Sequence, residues 1–367
     1  MGIRILTIFQ PVQNLVIVII MTSFSFAQGF WGNEFPEGKI KYEPKTYVCY
    51  KTTNAVILDG KITEKAWDSV SWTDSFVDIE GDLKPSPYHD TRVKMLWDEN
   101  YFYFAALMEE PHVWATITER DEVIFKDNDF EIFLDPDGDT HNYYELEVNA
   151  LETEWDLILL KPYHDDAKVA VDSWDIPGLI TQVHIDGTLN DPTDTDNAWS
   201  VEIAIPWKAL EECAPNLHPK EGEQWKVNFS RVHWDTDIVD GKYVKTNSPE
   251  FNWVWSPQGL IYMHMPDLWG LVQFTEHAPE KNNVRFNDSK IDQIKWALRQ
   301  VYYRQRNHYF KNKKYTSSIQ SLRMGKAPGK GIPWPPKIVL TPSGWEAAVN
   351  WNGQKVIIRK DGKVWAE

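Results

Sequence analysis

The polar residues best placed to do chemistry sit in two alternating stretches, Asn128–Leu134 and Tyr143–Asn149. At a period of two, Phe130, Ile132 and Leu134 share one face and leave Glu131 and Phe133 on the other. In the same way Tyr144, Leu146 and Val148 oppose Tyr143, Glu145, Glu147 and Asn149. One face belongs to a core. The other carries carboxylates, an amide and aromatic rings, the groups that hold sugars: rings lie against C–H surfaces, and carboxylates and amides take hydroxyls. Trp114, Phe125, Arg231 and Tyr262 are candidates to complete such a set. The plainer readings are core packing for each aromatic and a solvated face for Glu145 and Glu147. Nineteen tryptophans exceed what a core of this size needs, which favours ring stacking.

Other chemistry is weaker. Asp135, Asp137 and Asp139 stand at alternate positions, as at the start of a calcium loop, but no glutamate completes an EF-hand. The alternative is an acidic hairpin turn. Glu145 and Glu147 would stand roughly 7 Å apart on one strand face, within the ~6.5–9.5 Å carboxylate spacing of an inverting glycosidase. No second strand offers an obvious acid partner, so a glycoside hydrolase is the lesser alternative. Tyr262-Met263-His264-Met265 suggests haem ligation, yet adjacent strand residues point apart and no haem is expected.

Short strands must position these groups. Candidates are Tyr47–Tyr50, Ala55–Leu58, Trp72–Asp78, Arg92–Trp97, Tyr101–Met108, Glu154–Lys161, Ile180–Ile185, Trp199–Ile205, Trp225–Ser230, Trp253–Trp255 and Leu268–Phe274, with turn signals between them. Thr63–Ser69 and Pro206–Leu210 read as single helical turns. Without long helices alternating with strands, the main body is an all-β sandwich or barrel, the sandwich being of immunoglobulin-like or jelly-roll type. Ser289 and Asp292 approximate a capping box ahead of an apolar stripe, Ile291, Ile294, Leu298, Val301 and Tyr302. A second short helix is expected over Thr316–Met324, then a linker to Pro336. The end reads as a four-strand meander with hairpin turns at Asn352-Gly353 and Asp361-Gly362. The expected divisions are 1–27, 28–46, 47–277, 278–336 and 337–367.

Met1–Ala27 has Arg4, an apolar run to Phe26 and a small-x-small end, the pattern of a cleaved export signal; the product would be secreted, periplasmic or at the cell surface. No other segment is apolar enough to span a bilayer. Cys49 and Cys213 leave pairing open. Of the 38 Lys and Arg and 54 Asp and Glu, nearly all the acids precede residue 278 and almost half of the bases follow it. An acidic body argues against nucleic acid. The basic end either packs on the body or meets an anionic surface or protein partner.

Four motifs in order, Val56-Ile57-Leu58-Asp59-Gly60 with Ala66-Trp67, Arg92–Tyr103, Asn128–Asp135, and Trp199–Ile205 followed by Pro206-Trp207, resemble family 9 carbohydrate-binding modules. The resemblance runs from about Tyr47 to Phe274. It implies a non-catalytic β-sandwich that binds xylan- or β-glucan-type chains or their ends and commonly carries calcium. Its acidic ligand residue matches Glu131. The two tryptophans that clamp the sugar fall at Phe125 and at Tyr262 or Met263, and an arginine and a glutamine position are Glu147 and Glu145.

Overall fold

The computed structural model describes residue 35 and residues 38–165, 168–279 and 284–367; Met1–Ala27, read above as an export signal, lies outside them. The body contains β1 (Thr46–Lys51), β2 (Val77–Asp78), β3 (Thr91–Trp97), β4 (Tyr101–Glu109), β5 (Asp129–Asp135), β6 (Tyr143–Asn149) and β7 (Glu154–Leu159). It continues with β8 (Ala170–Val171), β9 (Ile180–Asp186), β10 (Ala198–Pro206), β11 (Gln224–His233), β12 (Thr236–Val239), β13 (Lys242–Lys245), β14 (Phe251–Val254) and β15 (Gly270–Thr275). Hydrogen bonding runs unbroken through β8-β7-β6-β5-β11-β15-β1-β3-β4-β10-β9, with β14 beside β11 and β2 beside β14. The strip folds back on itself, so the inward residues of β3, β4 and β10 (Met95, Phe104, Ile203) meet those of β5, β6 and β11 (Ile132, Leu146, Phe229) in one core. This is the expected β-sandwich. β1 joins its layers, pairing parallel with β15 from Thr46↔Leu271 to Tyr50↔Thr275 and with β3 at Tyr50↔Leu96.

Ala55–Leu58 forms no strand, contrary to its alternation. The chain there is fixed by a side chain instead. Asp59 and Gly60 donate their N–H groups to Glu202 Oε2 of β10 at 3.0 and 2.9 Å, and Trp67 Nε1 donates to Oε1 at 2.7 Å. Gly60 has φ +80°, and a Cβ there would lie 2.6 Å from the β9 backbone, so only glycine fits. Trp67 sits on the short helix α1 (Lys65–Asp68), whose N-cap is Glu64. Glu202→Gln turns an NH2 toward these donors and is expected to cost about 1–3 kcal/mol, read as a lower urea midpoint at unchanged slope.

The C-terminal part is α2 (Lys290–Asn312) and a four-strand sheet, β16 (Lys337–Thr341), β17 (Gly344–Trp351), β18 (Gln354–Arg359) and β19 (Val364–Ala366). Ser289 caps α2, its Oγ accepting from Asp292 N at 3.2 Å. Ile294, Leu298 and Val301 pack with Trp345, Val356 and Ile358, and the same cluster takes Leu260, Tyr262 and Met265 from the body. The helix expected over Thr316–Met324 is a series of turns: Gln305 holds both the N–H and the C=O of Thr316, and Ser318 bonds locally. The basic residues meet the body's acids, Arg306 with Asp165, Arg299 with Asp267, Lys363 with Asp139. Packing on the body, one of the two readings of the basic end, accounts for these charges. Cys49 and Cys213 are free thiols. Among the described residues no helix is long and apolar enough to cross a membrane.

Candidate sugar-binding pocket

The outer face of β5 and β6 forms the floor of a pocket of about 320 Å³. Register builds it row by row. Trp155 of β7 lies opposite Glu147, Glu147 opposite Glu131, and Glu131 opposite Ser230 of β11. The next row runs Leu157, Glu145, Phe133, Asn228. Phe125 reaches the rim from a 3₁₀ turn, Ile124–Lys126, where its N–H donates to Glu147 Oε2 at 2.9 Å. Its ring is 38 % exposed. Tyr163, Tyr262 and His264 close the far side; Tyr163 meets His264 edge-on at 4.6 Å, and Trp269 Nε1 anchors the loop on Met263 O at 2.8 Å.

Glu145 and Glu147, for which a solvated face was the plainer reading, are buried with the rest of the floor, and its electrostatics follow. Burial pushes Glu131 up to about 7. Burial, and then the charge of Glu131, hold Glu145 and Glu147 well above the usual carboxylate range. Burial lowers His264 to about 3, so it is neutral, and among the described residues no lysine or arginine lines the pocket.

The pocket gathers Phe125, Glu131, Glu145, Glu147 and Tyr262 and leaves out three candidates. Arg231 is fully buried on the other side of β11, donating to Glu110 Oε2 at 2.9 Å and Thr91 Oγ1 at 3.0 Å. Its phase with Trp225, Val227 and Phe229 already placed it facing inward. Asn149 holds the β6–β7 turn, its Oδ1 accepting from Leu151 N and Thr153 N at 3.0 Å. Trp114 is buried outside the pocket lining. Trp155, Tyr163 and His264 were missed. Registering β7 on β6 would have found Trp155; the other two lie on loops with no pattern to read.

Residues 57–256 match the family described as carbohydrate family 9 binding domain-like. The chain belongs to that family. Three solved structures resemble this family 9-like chain. A family 9 carbohydrate-binding module from Caldicellulosiruptor kristjanssonii, solved with cellotriose, is 16% identical, covering 67% of this chain and 100% of its own, with TM-score 0.40. The same organism's module with glucose is 16% identical over 65% of this chain and 99% of its own, TM-score 0.39. A putative carbohydrate-binding protein from Bacteroides uniformis is 15% identical over 63% and 100%, TM-score 0.46. No curated protein matches.

The family resemblance implied calcium without placing it, and the alternate spacing of Asp135, Asp137 and Asp139 suggested the start of a calcium loop. Their oxygens do approach within 4.8 Å of one another. The surroundings do not suit a divalent ion, because ammonium groups already supply the positive charge: Lys363 pairs with Asp139, and Lys295 Nζ donates to Asp137 O at 2.8 Å and Gly138 O at 3.1 Å. Asp135 is spent on the N–H groups of Gly138 and Thr140. In this family 9-like domain the loop is a socket for the chain's own C-terminal part.

Proposed function

We propose that this chain is a non-catalytic carbohydrate-binding protein whose ligand is the end of a β-glucan- or xylan-type chain. The observation that carries it is the pocket over β5 and β6, with three carboxylates on its floor and the rings of Phe125, Trp155, Tyr163 and Tyr262 around it. Its volume is at the small end of ligand sites, about 300–1,000 Å³, which suits a chain end or short oligosaccharide rather than a long groove-bound stretch. The arrangement favours recognition over hydrolysis. A glycosidase needs carboxylates flanking the bond from two sides; Glu131, Glu145 and Glu147 stand together on one floor, and the other lining carboxylate, Glu250, comes from the loop before β14. Polysaccharide outside the cell is the ligand pool that agrees with the export signal read in Met1–Ala27.

Titration calorimetry with glucose, cellotriose and xylo-oligosaccharides tests the reading. Trp155→Ala and Phe125→Ala should each weaken binding by about 2 kcal/mol, roughly thirty-fold, as central aromatic anchors do. Wild-type protein that binds none of the three sugars, or binding indifferent to both substitutions, defeats it. Release of reducing ends from xylan, lost in Glu147→Gln, would point to the hydrolase instead.

A further inference from the structure

We propose that the pocket floor holds a divalent cation of calcium's size, ligated by Asp129, Glu131 and Glu147. Each offers one carboxylate oxygen, and the three oxygens lie within 4.8 Å of one another. Oxygens around one calcium ion sit at about 2.3–2.6 Å from it, so two ligands can be up to about 5 Å apart. The set closes on such an ion with the strands as they stand, while magnesium at about 2.0–2.1 Å would need a tighter group.

The three side chains are only 0, 5 and 1 % exposed. Ionised carboxylates taken out of water need a cation or a full set of hydrogen bonds. These have neither. Among the described residues no lysine, arginine or histidine forms an ion pair with them, in contrast to Asp139 with Lys363 and Glu110 with Arg231. Asp129 Oδ1 accepts from Val232 N at 3.2 Å and Glu147 Oε2 from Phe125 N, but Asp129 Oδ2 has no partner.

Two groups outside the trio point the same way. Glu145 is 4 % exposed, lines the pocket, and its Oε2 has no hydrogen-bond partner. Ser230, buried opposite Glu131, has its hydroxyl beside that carboxyl without a well-formed hydrogen bond. Both are oxygens next to the trio, and an ion with its bound waters would satisfy them together with Asp129 Oδ2. Calcium takes about 6–8 oxygens, so three carboxylates leave positions open toward the pocket. Two neighbouring sugar hydroxyls can fill them; this second half of the inference rests on the sugar-binding reading above.

The test uses the full chain freed of metal with EDTA. Calcium is titrated calorimetrically, and terbium is titrated under tryptophan excitation, with Trp155 opposite Glu147 as the donor. Expected are saturable calcium binding, terbium emission that calcium displaces and Trp155→Phe reduces, and a higher Tm with calcium. Glu131→Gln and Glu147→Gln should weaken calcium at least ten-fold, yet in EDTA melt no lower than wild type, because each replaces a buried carboxyl group that has no cation beside it with a neutral amide of the same shape. Asp137→Asn should leave calcium binding unchanged. Wild type that binds no calcium at millimolar concentration overturns the site, as does binding lost in Asp137→Asn but kept in Glu147→Gln. Cellotriose binding that vanishes in EDTA supports coordination of the sugar; equal binding in calcium and in EDTA overturns that role and leaves the sugar-binding reading intact. Calcium binding at the pocket with no sugar bound in either condition supports the site and defeats that reading.

Discussion

Arg231→Ala should lower the stability of the protein by about 3–5 kcal/mol, the cost of breaking a buried ion pair by removing one partner. The guanidinium is fully buried, lies 5.2 Å from the centre of the Trp253 ring and donates to Glu110 and Thr91. Without it Glu110 keeps only the His112 N–H at 3.1 Å, Asn128 Nδ2 at 3.2 Å and His233. Burial alone would push the Glu110 carboxyl up; His233, Arg231 and the His112 N–H outweigh it and bring the group down to about 2 from an ordinary 4.5. A depressed folded-state value means the unfolded chain takes up the proton first. The contribution is therefore complete above pH 4.5 and disappears as pH falls from there toward 2. Its size is about 3 kcal/mol from the shift. Urea midpoints at pH 7 and pH 3 check both statements: the wild type should lose much of its margin at pH 3, and the variant should have lost it already at pH 7. A variant within 1 kcal/mol of wild type at pH 7 would mean that the pair contributes no more than a surface contact.

Removing residues 278–367 should abolish sugar binding, although none of the described residues among them lines the pocket. Tyr262, one of its walls, is packed in the cluster built by α2 and β16–β19. The His164 ring lies 5.1 Å from Tyr262 and is itself flanked by Phe35 and Tyr303. Tyr303 donates to Asp267 Oδ1 at 2.8 Å, and Lys226 of β11 pairs with Asp292 of α2 at 2.8 Å. Truncation strips these supports and opens a large apolar surface on the body. The shortened chain should bind a hydrophobic dye, lose protection from proteolysis around Leu260–Met265, and show no heat with any sugar that the full chain binds. Full-length affinity in the truncated chain would show that the Tyr262 wall stands unaided.

What could be read in advance was what depends on neighbours in sequence. The alternation of Phe130, Ile132 and Leu134 against Glu131 gave the β5 faces, Ser289 gave the start of α2, and Asn352-Gly353 gave the β17–β18 turn, where both residues have positive φ. Errors came where a distant group decided the matter. Glu202 holds Ala55–Gly60 without a strand, and Gln305 takes the backbone groups that a helix at Thr316 would need. That the acidic floor is buried was not legible, because nothing in β5 or β6 reports that Tyr163 and the 262–265 loop cover it. Arg231 is the instructive exception: its phase along β11 was legible, and its charge distracted from it.

The parallel pairing of β1 has a kinetic consequence. Thr46 finds its partner at Leu271, so the strand that ties the two layers together has no mate on that side until almost the whole body has been made. Contacts so far apart in sequence close slowly. A chain emerging from its N-terminus therefore carries the β15-facing edge of β1 unpaired through most of synthesis, the condition in which unfinished sheets associate with one another. The body should fold in a late, concerted step gated by the arrival of β15, and not by successive addition of hairpins.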